Sequence, residues 1–241
     1  MDRAAALRQL AQLCNLNREG VAPPAIEATG FPALDAALPN GGWQSGTIVE
    51  LMPTHTGIGE FRLLMPAIAR MTQSDRHVAL ISPPYVPFAP ALSNHGVRLD
   101  RLLIIRAEKN ADTLWACEQT LRCKSFGAVV SWPESIRDRD VRRLQLAAEA
   151  GRSTGFIYLP PEAAREASPA AMRMRLQASE QDLMVEILKC RGGRSGFSIA
   201  VSCRTSPAPD LPTPDHKVTQ QQEDFPAEAS TLLAHTLAAN S

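Results

Sequence analysis

The chain has 241 residues, and its 25 Lys and Arg balance 25 Asp and Glu, so its formal net charge is zero. That balance excludes a global basic field able to draw the protein onto nucleic acid, and leaves any DNA contact weak or indirect, through a local patch or a partner. A hydrophobic fraction of 44% suffices for a sizeable core, and the length fits one α/β domain with extensions.

Residues 3–14 repeat Leu7, Leu10 and Leu13 with Arg3 and Arg8 between them, which predicts a short amphipathic helix ended before Pro23-Pro24. This stretch lacks the uninterrupted apolar core of a signal peptide, and no run approaches the roughly 18 apolar residues of a membrane span. A cytoplasmic chain without membrane contact is expected. After a turn at Thr29-Gly30 and an apolar pair at Leu34 and Leu38, the glycines Gly41, Gly42 and Gly46 lead to Ile48-Val49-Glu50-Leu51. That run is bounded by turn residues and reads as a buried strand. A loop from Pro53 to Gly59 follows. Phe61, Leu64, Met65, Ile68 and Met71 then share one face of a predicted helix.

Four further strands are predicted at 78–82, 102–105, 128–131 and 155–159, with helices at 111–125 and 139–150 between them. Pro83, Pro84, Pro87 and Pro90 form a stiff connection after the second strand, and residues 89–95 form a short helix. Strands alternating with helices imply parallel βαβ units, and near-continuous apolar strands imply a sheet covered on both faces. Beyond Pro160-Pro161 the pattern changes. Residues 183–188 and 197–201 read as a hairpin around Lys189, Arg191, Gly192-Gly193 and Arg194. From Thr205 the Pro-, Asp- and Gln-rich composition predicts a flexible tail ending in a short helix near Leu232 to Leu237. The expected domains are 1–26 (helix and linker), 27–204 (core) and 205–241 (tail).

Strand, glycine-containing loop and helix is the context of a P-loop, whose glycines expose backbone N–H groups to phosphates and whose Lys and Ser/Thr hold phosphate and Mg²⁺. Pro53, Gly57 and Gly59 supply a loop of that kind, but Glu60 stands at the Lys position and Phe61 at the hydroxyl position. At close range one charge pair is worth about 4 kcal/mol at an effective dielectric near 20, so a carboxylate there repels a polyphosphate. The fourth strand ends in Ser131-Trp132-Pro133 with no metal-ordering Asp, and the second ends in Ser82-Pro83-Pro84-Tyr85 with no catalytic acid. No catalytic residue, metal site or cofactor is expected. The five histidines are scattered, and Cys14, Cys117, Cys123, Cys190 and Cys203 lack C-x-x-C spacing, so all five read as free thiols.

Lys189, Arg191 and Arg194 beside the Gly-Gly turn are the candidate partner-binding residues, since guanidinium forks suit carboxylates and phosphates. Trp132, at the carboxyl end of a strand, is a candidate to fill the vacated nucleotide site.

Thr29-Gly30, Leu34-Asp35, Leu38, Gly41-Gly42 and Gly46 to Glu50 resemble the approach of RecA to its Walker loop. Phe126 to Trp132 and Gly155-Phe156-Ile157 are similar to SulA and ImuA chains. Over residues 27–204 the chain resembles the ImuA family of RecA-like accessory proteins. That resemblance implies a RecA-like, mostly parallel sheet flanked by helices, with a C-terminal hairpin. It also implies a non-catalytic scaffold in damage-induced translesion synthesis and mutagenesis, with an ImuB-type protein, RecA and an error-prone polymerase as partners. The alternatives are a SulA-like division inhibitor that binds FtsZ and blocks its polymerisation, and a divergent ATPase.

Overall fold

The computed structural model describes residues 26–179 and 182–202. The expectations for the N-terminal helix, the Pro-rich tail and its terminal helix lie outside these residues.

The strands of the main sheet are β3 (Ile48–Pro53), β4 (His77–Ile81), β5 (Leu102–Ile105), β6 (Phe126–Ser131), β7 (Thr154–Tyr158), β8 (Met172–Ala178), β9 (Leu183–Cys190) and β10 (Phe197–Val201). Their order is β10-β9-β8-β3-β7-β6-β4-β5. From β8 to β5 every neighbouring pair is parallel, while β9 and β10 are added antiparallel. A two-stranded ribbon of β1 (Ile26–Glu27) and β2 (Trp43–Gln44) precedes the sheet. The helices are α1 (Pro32–Ala37), α2 (Met65–Gln73), α3 (Ala89–Asn94), α4 (Asn110–Arg122) and α5 (Asp138–Gly151). The fold is therefore mixed α/β, with a large, mostly parallel sheet flanked by helices.

Alternation along each strand divides the core in two. Val49, Leu51, Val78, Leu80, Val130 and Phe156 face α1, α2 and α3. Ile48, Met52, Ala79, Ile81, Val129 and Ile157 face α4 and α5. Both faces of the parallel strands are covered, which is why those strands read as unbroken apolar runs. The two helices of the second face approach closely: a Cβ on Gly151 would lie 1.9 Å from the Leu121 carbonyl oxygen.

Three expected boundaries are corrected. The helix after the loop starts later than Phe61. Glu60–Leu63 is a 3-10 turn and α2 begins at Met65. Gly59 sits at φ +85°, outside helical space, and Pro66 falls in the first turn of α2, where its missing N–H costs nothing. Secondly, residues 172–178, left without an element in the sequence, form β8. Its buried face carries Met172, Met174 and Leu176, between arginines that obscure the period of two. Thirdly, β9 runs through Lys189 to Cys190, so the hairpin loop is shorter than expected and Lys189 belongs to a strand.

Arg173 is tolerated inside because of its partners. It pairs in register with Glu50 on β3, and its Nε donates to Glu50 Oε2 at 2.7 Å. Its other nitrogens donate to the carbonyls of Glu166 and Ala163, both at 2.6 Å. Ser168 donates to the second Glu50 oxygen. Glu50 is 1% exposed, so the chain that connects β7 to β8 is tied down by a buried ion pair.

Cys117 and Cys190 are buried free thiols, and burial pushes the Cys117 thiol up to about 12, leaving it inert at neutral pH. Cys123 is buried as well. Cys14 and Cys203 lie outside the described residues. Among the described residues no helix is long and apolar enough to cross a membrane.

Candidate functional site

In a parallel sheet all carboxyl ends fall on one side, where α/β folds place ligands. Three groups of residues bear on function, and two of them lie at this end.

The first is the loop after β3. Gly57 and Gly59 both have φ near +85°, a left-handed conformation suited to glycine. The Gly57 N–H donates to Glu60 Oε1 at 3.2 Å, so the loop wraps around a carboxylate of its own chain. The Tyr158 hydroxyl donates to the Glu60 carbonyl at 2.9 Å. Phe61 packs against Trp132 with ring centroids 6.0 Å apart, and Trp132 stacks on Tyr158 at 5.0 Å and 4°. Pro53 ends β3 in register with Leu176. An anion and three aromatic rings thus occupy the carboxyl ends of β3, β6 and β7.

The second group is the hairpin at the far edge of the sheet. Lys189 is half-buried, and its Nζ donates to the Ser168 carbonyl at 2.7 Å. Arg194 lies over the Phe197 ring, 5.7 Å from its centroid. Arg191 is exposed and lines a groove with Glu149 and Arg152. The three cations therefore differ in role: Lys189 braces the β7–β8 connection, and only Arg191 and Arg194 are presented on the loop.

Sequence reasoning missed the third group. Tyr85, Val86 and Phe88, in the connection after β4, are 72%, 72% and 71% exposed. Their anchor is Ser82, a non-glycine residue at φ +51°. Its N–H donates to the Ile105 carbonyl at 2.7 Å, and its hydroxyl lies 2.9 Å from that of Thr113 and accepts from the Ala107 N–H at 3.3 Å. Backbone held in a sparsely populated region by several bonds is a mark of function. Pro83 and Pro84 then stiffen the exit, and Leu92 of α3 is buried under the far end. The result is a rigid loop that holds one valine and two aromatic side chains out in solvent. Scattered exposed apolar residues are ordinary, and three large ones within four positions of one loop stand out from them. The available signal was the pair of aromatics inside a proline-rich loop, where turn chemistry alone calls for polar residues.

Among the described residues no group of His, Cys, Asp or Glu is arranged to hold a metal.

Part of the chain is similar to known proteins. Residues 46–155, from just before β3 into β7, match the family model of the cell division inhibitor SulA. The similarity is to SulA, not to ImuA. The SulA of Photorhabdus laumondii is 29% identical over 115 residues, covering 48% of this chain and 65% of the relative. That of Edwardsiella piscicida is 30% identical over 100 residues, covering 42% and 60%. That of Pectobacterium atrosepticum is 26% identical over 153 residues, covering 63% and 91%. The chain thus spans somewhat under two thirds of the length of the first two relatives. These matches overturn the ImuA reading, and with it the translesion role and the ImuB-type, RecA and polymerase partners. Of the features that favour ImuA, residues 29–50 and the terminal hairpin, residues 46–50 lie inside the matched segment, while residues 29–45 and the β9–β10 hairpin lie outside it. They form α1, the short ribbon and the antiparallel edge of the sheet. The matched relatives are named as inhibitors, not enzymes.

Proposed function

We propose that the chain inhibits cell division by binding, and that its partner is FtsZ, as the SulA resemblance implies. The observation that carries this reading is the exposed Tyr85-Val86-Phe88 loop, which falls inside the segment similar to SulA. A rigid apolar projection suits an inhibitor that must cover a partner's assembly surface, because pre-organisation reduces the entropy lost on docking. GTP-driven FtsZ assembly, followed by light scattering, is the test. Addition of an equimolar amount of the full chain should suppress the scattering, and unchanged assembly at tenfold excess would rule the partner out.

The finer readings belong with this one. The strand–loop–helix order around residues 48–73 and the central place of β3 support descent from a RecA-like scaffold. Glu60, Phe61 and Trp132 support a phosphate loop that has lost its ligand. Mg-ATP should then give no heat of binding above background and no turnover that tracks the protein; micromolar affinity would refute the emptied loop. The chain works in the cytoplasm, where FtsZ is found, with residues 27–204 as its core and residues 1–26 and 205–241 as extensions. Arg191 and Arg194 serve as secondary partner contacts, with Lys189 as their support.

A further inference from the structure

A cavity of about 640 Å³ opens at the carboxyl ends of β3 and β8. Its walls carry Arg165 and Arg175, with Thr54, His55 and Gln177 between them and the apolar surfaces of Pro161 and Ala178 beside them. Among the described residues no acidic side chain lines it. Arg175 is joined to Glu186 of β9 at 2.7 Å, while Arg165 is exposed and has no ion pair among the described residues. Among the described residues the cavity therefore holds one guanidinium with no ion pair beside a second one whose carboxylate lies on a neighbouring strand. Like charges that converge in one concavity raise its attraction for anions.

Two observations separate a carboxylate from a phosphate. Phosphate sites draw on backbone N–H groups, at a helix N-terminus or in a glycine nest. The adjoining loop could offer such a group at Gly57, but that N–H is already taken by Glu60. What remains is side-chain donors, above all guanidinium forks, which match carboxylates two bonds at a time. Arg175 already donates to one carboxylate oxygen, Glu186 Oε2. The cleft is open and mixed in character, with apolar walls able to lie along a peptide. We propose that this arginine-lined cleft binds the carboxylates of an acidic peptide segment of a partner protein. The proposal concerns a site separate from the Tyr85 loop and does not depend on FtsZ being the partner.

Fluorescence anisotropy of labelled hexaglutamate with the full chain tests it. Binding should be measurable at 20 mM NaCl and weaken roughly tenfold or more by 200 mM, as contacts between exposed charges do. Arg165→Glu should weaken it by a similar factor at low salt without moving the melting temperature, since Arg165 makes no ion pair that the fold requires. Arg142→Glu is the control. Arg142 is an exposed residue on α5 with no ion pair among the described residues, and it is outside the cleft. If Arg165→Glu is destabilised, Arg165→Gln takes its place in the comparison. No binding at low salt, or equal losses in the two reversals, overturns the proposal. Competition by 10 mM phosphate beyond that of chloride at equal ionic strength also overturns it, in favour of a phosphate site. Loss confined to the Arg165 variants sustains it.

Discussion

Replacing Glu50 by Ala should destabilise the protein by about 3–5 kcal/mol, the cost of removing one partner from a buried ion pair. Arg173 would remain 6% exposed, with its Nε unpaired while its other nitrogens stay bound to the Glu166 and Ala163 carbonyls. The guanidinium has nowhere to go, because β8 holds it between β3 and β9. Ser168 would lose its acceptor as well, so the whole β7–β8 connection loosens. At a urea slope of about 2 kcal/mol/M, the unfolding midpoint should fall by about 2 M. The double variant Glu50→Ala, Arg173→Met should recover much of the loss, since an apolar replacement of a buried pair is often neutral. A midpoint shift under 0.5 M for Glu50→Ala would show that the pair does not hold the sheet together.

The triple variant Tyr85→Ser, Val86→Ser, Phe88→Ser should behave in the opposite way, keeping its stability and losing its partner. Side chains more than 70% exposed contribute little to folding, and surface substitutions of this kind stay within about 0.5 kcal/mol each. Aromatic anchors at an interface are worth about 2–4 kcal/mol apiece when truncated, though not additively. Even the lower figure weakens binding about thirtyfold, and the three together should exceed a hundredfold. Circular dichroism melts and FtsZ co-sedimentation on the same preparations separate the two effects. A folded variant that still binds within threefold of wild type would remove this loop from the interface.

The two experiments act on parts of the chain that differ in how far they can be read beforehand. The parallel strands were legible because burial on both faces leaves an apolar run such as Ala128-Val129-Val130, and turn residues mark where each run stops. The acidic character of the loop after β3 is legible because Glu60 carries a definite electrostatic sign, and in the structure that carboxylate accepts from the Gly57 N–H. The family was misjudged for a physical reason too. Residues 29–50 and the β9–β10 hairpin suggest RecA-like descent. Residues 46–50 open the segment similar to SulA, and Phe31, Leu34, Leu38 and Trp43 pack into the same core, so the two resemblances overlap in the fold.

Sequence alone determined the α/β class and the order of the central elements, because each follows from periodicity over a few neighbouring positions. Tertiary structure alone decided the rest. An isolated arginine in a strand reads as surface, and Arg173 became core because the register of β3 and β8 sets it against Glu50, 123 positions away. Lys189 reads as a loop cation, and became a brace because β9 extends past it to reach the Ser168 carbonyl. Tyr85, Val86 and Phe88 have the composition of a buried segment. They stay in solvent because Ser82 and two prolines fix the direction in which the chain leaves β4, and a direction of that kind is set by contacts to residues 105–113, far along the chain.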